Sequence, residues 1–135
     1  MMEPLKLLEY TEAIHHEIDL EGDKLRIFRR KYLPGDLKEQ ILHHKTGILE
    51  ILQNDRAAKE IGLMVGIPGT LYMWTVSRFS TAYMELYNNE WIAWRETYQV
   101  GRRKAISHKI IAQGNKYDYV LMQFKKYIDY IKKRR

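Results

Sequence analysis

Basic residues interleaved with aromatic ones are the chemistry this sequence offers most plainly. Arg78 precedes Phe79, Trp94 precedes Arg95, Tyr98 leads into Arg102, Arg103 and Lys104, Lys109 follows, and Lys125-Lys126 stand before Tyr127. Single-stranded nucleic acid is held by this combination, because cations pair with phosphates while exposed rings stack on bases at about 1–3 kcal/mol each. A buried aromatic core beneath a solvated cationic face would leave the same pattern. The closing Lys132-Lys133-Arg134-Arg135 reads equally as a solubilising tail or a non-specifically binding one.

Other chemistries find less. His15-His16 and His43-His44 invite a metal, but neighbours on a helix project roughly 100° apart and so do not converge on one ion, which leaves the metal reading weak. Gly66-Ile67-Pro68-Gly69 carries a proline where a phosphate loop needs free backbone amides, and no Gly-Lys-Ser/Thr follows. Ser77, Ser80 and Ser107 lack a nucleophile-elbow context. Cysteine is absent, which removes disulfides and thiolate sites. No catalytic residue, metal or cofactor is expected, and the chain reads as a non-enzyme.

The elements that must position the basic and aromatic residues fit into 135 residues, enough for one domain or two small units. The net charge of +6 is lopsided: residues 1–54 hold 8 basic against 10 acidic side chains and residues 55–135 hold 15 against 7. A clustered positive field of that kind attracts polyanions. No signal-type start and no apolar run of about 18 residues is present, so a soluble, cytoplasmic protein is expected.

From the N-terminus, Leu5, Leu7, Leu8, Tyr10 and Ile14 suit one face of a short helix that Pro4 can open. Glu17–Glu21 and Lys24–Ile27 alternate about Gly22-Asp23, the pattern of a hairpin. Leu33-Pro34-Gly35 breaks the chain, Asp36 stands where a helix N-cap belongs, and Leu37, Ile41, Leu42, Ile48, Leu49 and Leu52 form an apolar stripe with Gly47 as a break between two helices.

Gly22-Asp-Lys-Leu-Arg, then Leu33-Pro-Gly-Asp-Leu-Lys-Glu-Gln-Ile, then His44-Lys45 before Ile48-Leu49 and Ile51-Leu52 together resemble the TubC-type N-terminal docking domain over residues 3–54. Pro34-Gly35-Asp36 replaces that family's usual Thr-Pro helix start, and the hairpin leaves through a basic Phe28-Arg29-Arg30-Lys31-Tyr32. The resemblance implies a hairpin whose exposed edge receives an extended peptide from another chain, with Lys24, Leu25, Arg26 and Ile27 as the receiving strand.

Beyond residue 54 the composition changes, and 13 of the 16 aromatics lie after residue 70. Their intervals predict mainly helix over 70–88 and a closing helix over 115–131. Residues 91–112 are legible as a helix face through Trp91, Trp94 and Tyr98, or as a hairpin about Gly101-Arg102-Arg103. The expected class is α+β and mostly helical: a helix-hairpin-helix-helix docking module, 1–54, followed by a basic, aromatic-rich, mainly helical unit, 55–135.

The docking family serves megasynthases and the replication proteins of phages and mobile elements. In size, basic tail and docking start, the chain also resembles the small middle protein of a mobile-element polymerase/primase operon. The expected function is therefore a non-catalytic accessory subunit that docks onto a DNA polymerase, primase or helicase and contacts single-stranded DNA to assist priming. Arg78, Trp94, Arg95, Tyr98, Arg102, Arg103, Lys104, Lys109, Lys125 and Lys126 are its expected nucleic-acid contacts. Rivals are a peptide-docking adaptor for a biosynthetic megasynthase and a small winged-helix-like transcription regulator. No membrane partner is expected, and a homodimer is left open.

Overall fold

The computed structural model describes residues 2–135, which divide after Arg56 into two compact units. In the first, α1 (Pro4–Ala13) opens on its proline, whose missing amide hydrogen is no loss in a first turn. The helix ends where His15 turns left-handed, with φ of 67°, and the His16 amide closes on Thr11 O at 2.7 Å. The chain then reverses into β1 (Ile18–Glu21) and β2 (Lys24–Ile27), an antiparallel pair joined at Gly22-Asp23. Gly22 takes φ of 63° there, a conformation that costs glycine least. A short 3-10 turn, Arg30–Tyr32, leads to α2 (Gly35–His43) and α3 (Lys45–Glu60). Leu7, Ile18, Leu33, Leu37, Ile41 and Ile48 make the core.

Two local expectations change. The break between α2 and α3 falls at His44, not Gly47. Gly47 lies inside α3, where a Cβ would come within 2.7 Å of Pro4 Cγ, so its role is close approach of the start of α1 and not helix termination. Asp36 sits in the first turn of α2 and makes no cap hydrogen bond, Pro34 being the N-cap residue; its charge still faces the positive helix end. A Gly47→Val chain should lose about 1–3 kcal/mol through overpacking against Pro4. Urea unfolding checks this, and an unchanged or raised midpoint would remove the close-approach role.

The second unit overturns the mostly helical expectation. The chain is α+β, with an antiparallel five-stranded meander where helices are expected: β3 (Met64–Ile67), β4 (Leu71–Ser77), β5 (Ser80–Tyr87), β6 (Glu90–Tyr98) and β7 (Ala105–Gly114), in spatial order. Residues 70–88 are two strands and not helix. Aromatics four apart, such as Tyr83 and Tyr87, suit a helix face, but an even interval also suits one face of a strand. The decisive alternation lies in Ser80, Ala82 and Met84, all buried, with half-buried residues between them. Asn88 and Asn89 both take positive φ, 50° and 62°, which is the two-residue turn that matches strand twist. Residues 91–112 are a hairpin.

One helix, α4 (Tyr117–Lys133), closes the unit. Its buried Val120, Phe124 and Ile128 join Tyr72, Ala82, Met84, Trp91 and Ala93 of the sheet in one core, to which Ala58 at the end of α3 and Leu63 also belong. Ala82 and Ala93 are fully buried, and small side chains at mid-sheet leave room for the phenylalanine. Among the described residues, no helix is long and apolar enough to cross a membrane.

Candidate peptide groove and anion cleft

In the first unit, the Phe28 amide donates to Glu17 O at 2.9 Å. Antiparallel pairs alternate between bonded and unbonded, so Asp19 and Arg26 are bonded partners while Leu20 pairs with Leu25, and Ile18 with Ile27, without bonds. The polar backbone groups of those unbonded residues point outward. On the β1 side this agrees with Arg56, whose guanidinium donates to Leu20 O at 3.5 Å and Gly22 O at 3.2 Å. On the β2 side no further strand follows among the described residues, and the edge that carries Leu25 and Ile27 faces a groove of about 570 Å³.

Cations crowd this groove although its unit is acidic in total. Lys24, Arg26, Arg30, Lys38 and Lys45 line it against one carboxylate, Glu21. Leu25, Ile27, Ile41 and Leu42 supply its apolar lining, and Leu42 is 68% exposed. Arg30, Lys38, Leu42 and Lys45 were not among the expected docking residues. Their signal is the spacing Lys38, Ile41, Leu42, Lys45, which repeats at helical intervals. Nearby, buried His16 donates from Nδ1 to Phe28 O at 3.2 Å in one tautomer, a structural use of one of the paired histidines.

In the second unit, strand alternation separates the residues expected to act together. Register sets Met64, Met73, Tyr83, Trp94 and Ile110 in one row across all five strands. Tyr83 and Trp94 stack there with centroids 5.2 Å apart. Their face also carries Glu85, Glu90 and Glu96, and none of the strand positions sharing it is Lys or Arg. Trp94 Nε1 donates to Glu96 at 3.2 Å, and the Tyr98 hydroxyl donates to the same carboxylate. Trp94 and Tyr98 therefore belong to an acidic, apolar face.

Hydrogen bonding to Glu96, then desolvation and the carboxylate's charge, push Tyr98 up to about 12 from 10.0. Tyr98 should keep its proton through the range in which free tyrosine ionises. Its contribution to stability is present below pH 10 and lost as pH rises through about 12. Ring-carbon NMR of labelled tyrosines checks this: Glu96→Gln should bring the resonance back toward ordinary behaviour, and ordinary titration in the unaltered chain would refute the coupling.

Arg95 and Lys109 lie on the opposite face, as register partners, beside the end of α4. The Arg95 guanidinium donates from Nε to Ser80 Oγ at 2.6 Å and from Nη1 to the Tyr127 hydroxyl at 2.8 Å. Lys109 Nζ stands 5.6 Å from the centre of the Tyr127 ring. Together with Arg134 and Arg135 they line a cleft of about 460 Å³. The terminal arginines contribute structure here, Arg134 to Tyr130 and Arg135 over Trp74 at 5.4 Å.

No family model, curated protein or solved structure matches this chain. The remaining expected contacts are dispersed. Arg78 sits in the β4–β5 turn over Phe79, 5.5 Å from the ring centre. Arg102, Arg103 and Lys104 occupy the exposed β6–β7 loop, and Lys125 and Lys126 the exposed side of α4.

Proposed function

We propose that the chain is a non-catalytic accessory subunit that captures an extended, acidic segment of another protein along the outer edge of β2. The groove supports this reading: an unpaired strand edge offers main-chain hydrogen bonds, five cations favour carboxylates, and the apolar lining takes alternate side chains. The partner is read as a DNA polymerase, primase or helicase subunit in the cytoplasm, on the strength of the docking-domain resemblance. Contact with single-stranded DNA then falls to cations and not to the paired Trp94 and Tyr98, whose face is acidic. A winged helix needs a helix-turn-helix, and the meander with its single closing helix favours no such reading.

Fluorescence anisotropy of the full chain with a labelled peptide that alternates Glu and Leu tests the proposal. A matched peptide alternating Lys and Leu, and a proline-substituted acidic peptide, serve as controls. Salt-sensitive binding of the first alone is expected. Equal binding of acidic and basic peptides, or of the proline peptide, would refute strand capture by this edge.

A further inference from the structure

The cleft beside the end of α4 has no place in the docking reading, yet it is the most organised group of cations in the second unit. We infer that it is a binding site for a single phosphate group, as inorganic phosphate or as the terminal monoester of a larger molecule. Arg95 carries the argument. It rises from β6 into a half-buried position where both of its anchors, Ser80 and Tyr127, are neutral hydroxyls. Ser80 is 2% exposed and is itself held by Glu96 O at 3.2 Å and Thr97 Oγ1 at 3.1 Å. The guanidinium is thus fixed in direction with its charge unopposed, and the donors not spent on those anchors remain for an anion.

Three more cations converge on the same cleft, Lys109 from β7 and Arg134 and Arg135 from the end of α4, and among the described residues no side-chain carboxylate lines it. Like charges held this close repel, and a bound anion relieves that repulsion. The tyrosines add a second kind of donor. Each hydroxyl accepts from an arginine, Tyr127 from Arg95 and Tyr130 from Arg134, so its own hydrogen is left to donate. Four cations and two hydroxyl donors suit a dianion with three acceptor oxygens better than a carboxylate with two. Val76 and Ile131 wall the cleft with apolar surface, which strengthens charge-assisted hydrogen bonds inside it.

The test is calorimetric titration of the full chain with inorganic phosphate at constant ionic strength, with acetate as the carboxylate control. One saturable site that prefers phosphate is expected. Lys109→Gln and Arg134→Gln, both at exposed positions, should each weaken it about tenfold. Tyr127→Phe keeps the ring under Lys109 and removes the hydroxyl that holds Arg95; a loss of several-fold is expected in a chain that still unfolds in one cooperative urea transition. Absence of saturable binding, equal binding of acetate, or phosphate affinity untouched by both glutamine variants would overturn the site.

A second arm separates the sources. Oligothymidine with a 5′-phosphate, bound about tenfold tighter than the same strand with a 5′-hydroxyl and losing that preference in Lys109→Gln, would assign a strand terminus. Equal affinities, with inorganic phosphate still bound, would assign a free small phosphate. Neither result depends on whether the groove of the first unit captures peptide.

Discussion

Replacing Phe124 with alanine should lower the stability of the second unit by about 3–5 kcal/mol, the range for truncating a buried phenylalanine that leaves a cavity behind. The side chain is fully buried in the core that α4 shares with the sheet. Ala82 and Ala93 in that core are too small to fill the space. A domain of this size commonly holds only about 5–15 kcal/mol in all, so the loss would consume a large part of the margin. All three tryptophans, Trp74, Trp91 and Trp94, lie in β4 and β6, and their fluorescence reports this unit's urea transition. Phe124→Leu, which keeps most of the apolar volume, should cost distinctly less. A Phe124→Ala transition within 1 kcal/mol of the unaltered chain would mean that α4 does not carry the core as described.

Arg26→Glu combined with Lys38→Glu should weaken capture of the acidic peptide on the order of 30–100-fold at low salt. Each exposed pair contributes up to about 1 kcal/mol, reversal replaces attraction with repulsion, and two such changes amount to about 2–3 kcal/mol. Both side chains line the groove, one from β2 and one from α2, so the pair tests the groove and not a single element. Lys125→Glu with Lys126→Glu makes the same change in net charge on the exposed side of α4 and should leave the peptide affinity within about threefold. If both double variants lose affinity alike, net charge rather than the groove attracts the peptide. Salt should narrow the difference, because exposed charges are screened.

Local turn chemistry was legible where it worked through one residue type at a time. Gly22-Asp23 between two short alternating runs reads as a hairpin and is one, and the apolar spacing after residue 115 reads as the closing helix that α4 forms. The sheet is hidden in sequence because aromatics at even intervals suit a helix face as well as a strand face, and Asn88-Asn89 is the turn signal that distinguishes the two. The site was less legible than the fold. Trp94 and Arg95 are neighbours on a strand and point to opposite faces, so residues adjacent in the chain end on an acidic and a cationic surface. Conversely, Arg95 meets Tyr127 and Lys109 only through helix packing and strand pairing, across 32 and 14 positions, which no local pattern displays. Arg134 and Arg135 look like a free tail in sequence because their partners Tyr130, Val76 and Trp74 are fixed by the docked helix.

The last strand carries a liability and its remedy together. β7 is the longest strand and a sheet edge, and its residues 105–110 are all exposed. A flat, uninterrupted edge of that length would template pairing with other molecules and seed aggregates. Register shifts interrupt it against Ala93/Trp94 and again against Thr97/Tyr98, and such irregularities bend and twist an edge out of line. Lys109, placed between the two, adds a charge that a stacking neighbour would have to bury opposite its own copy. The irregularities that spoil the strand's alternation in sequence are also the ones that make its edge a poorer template for a second copy.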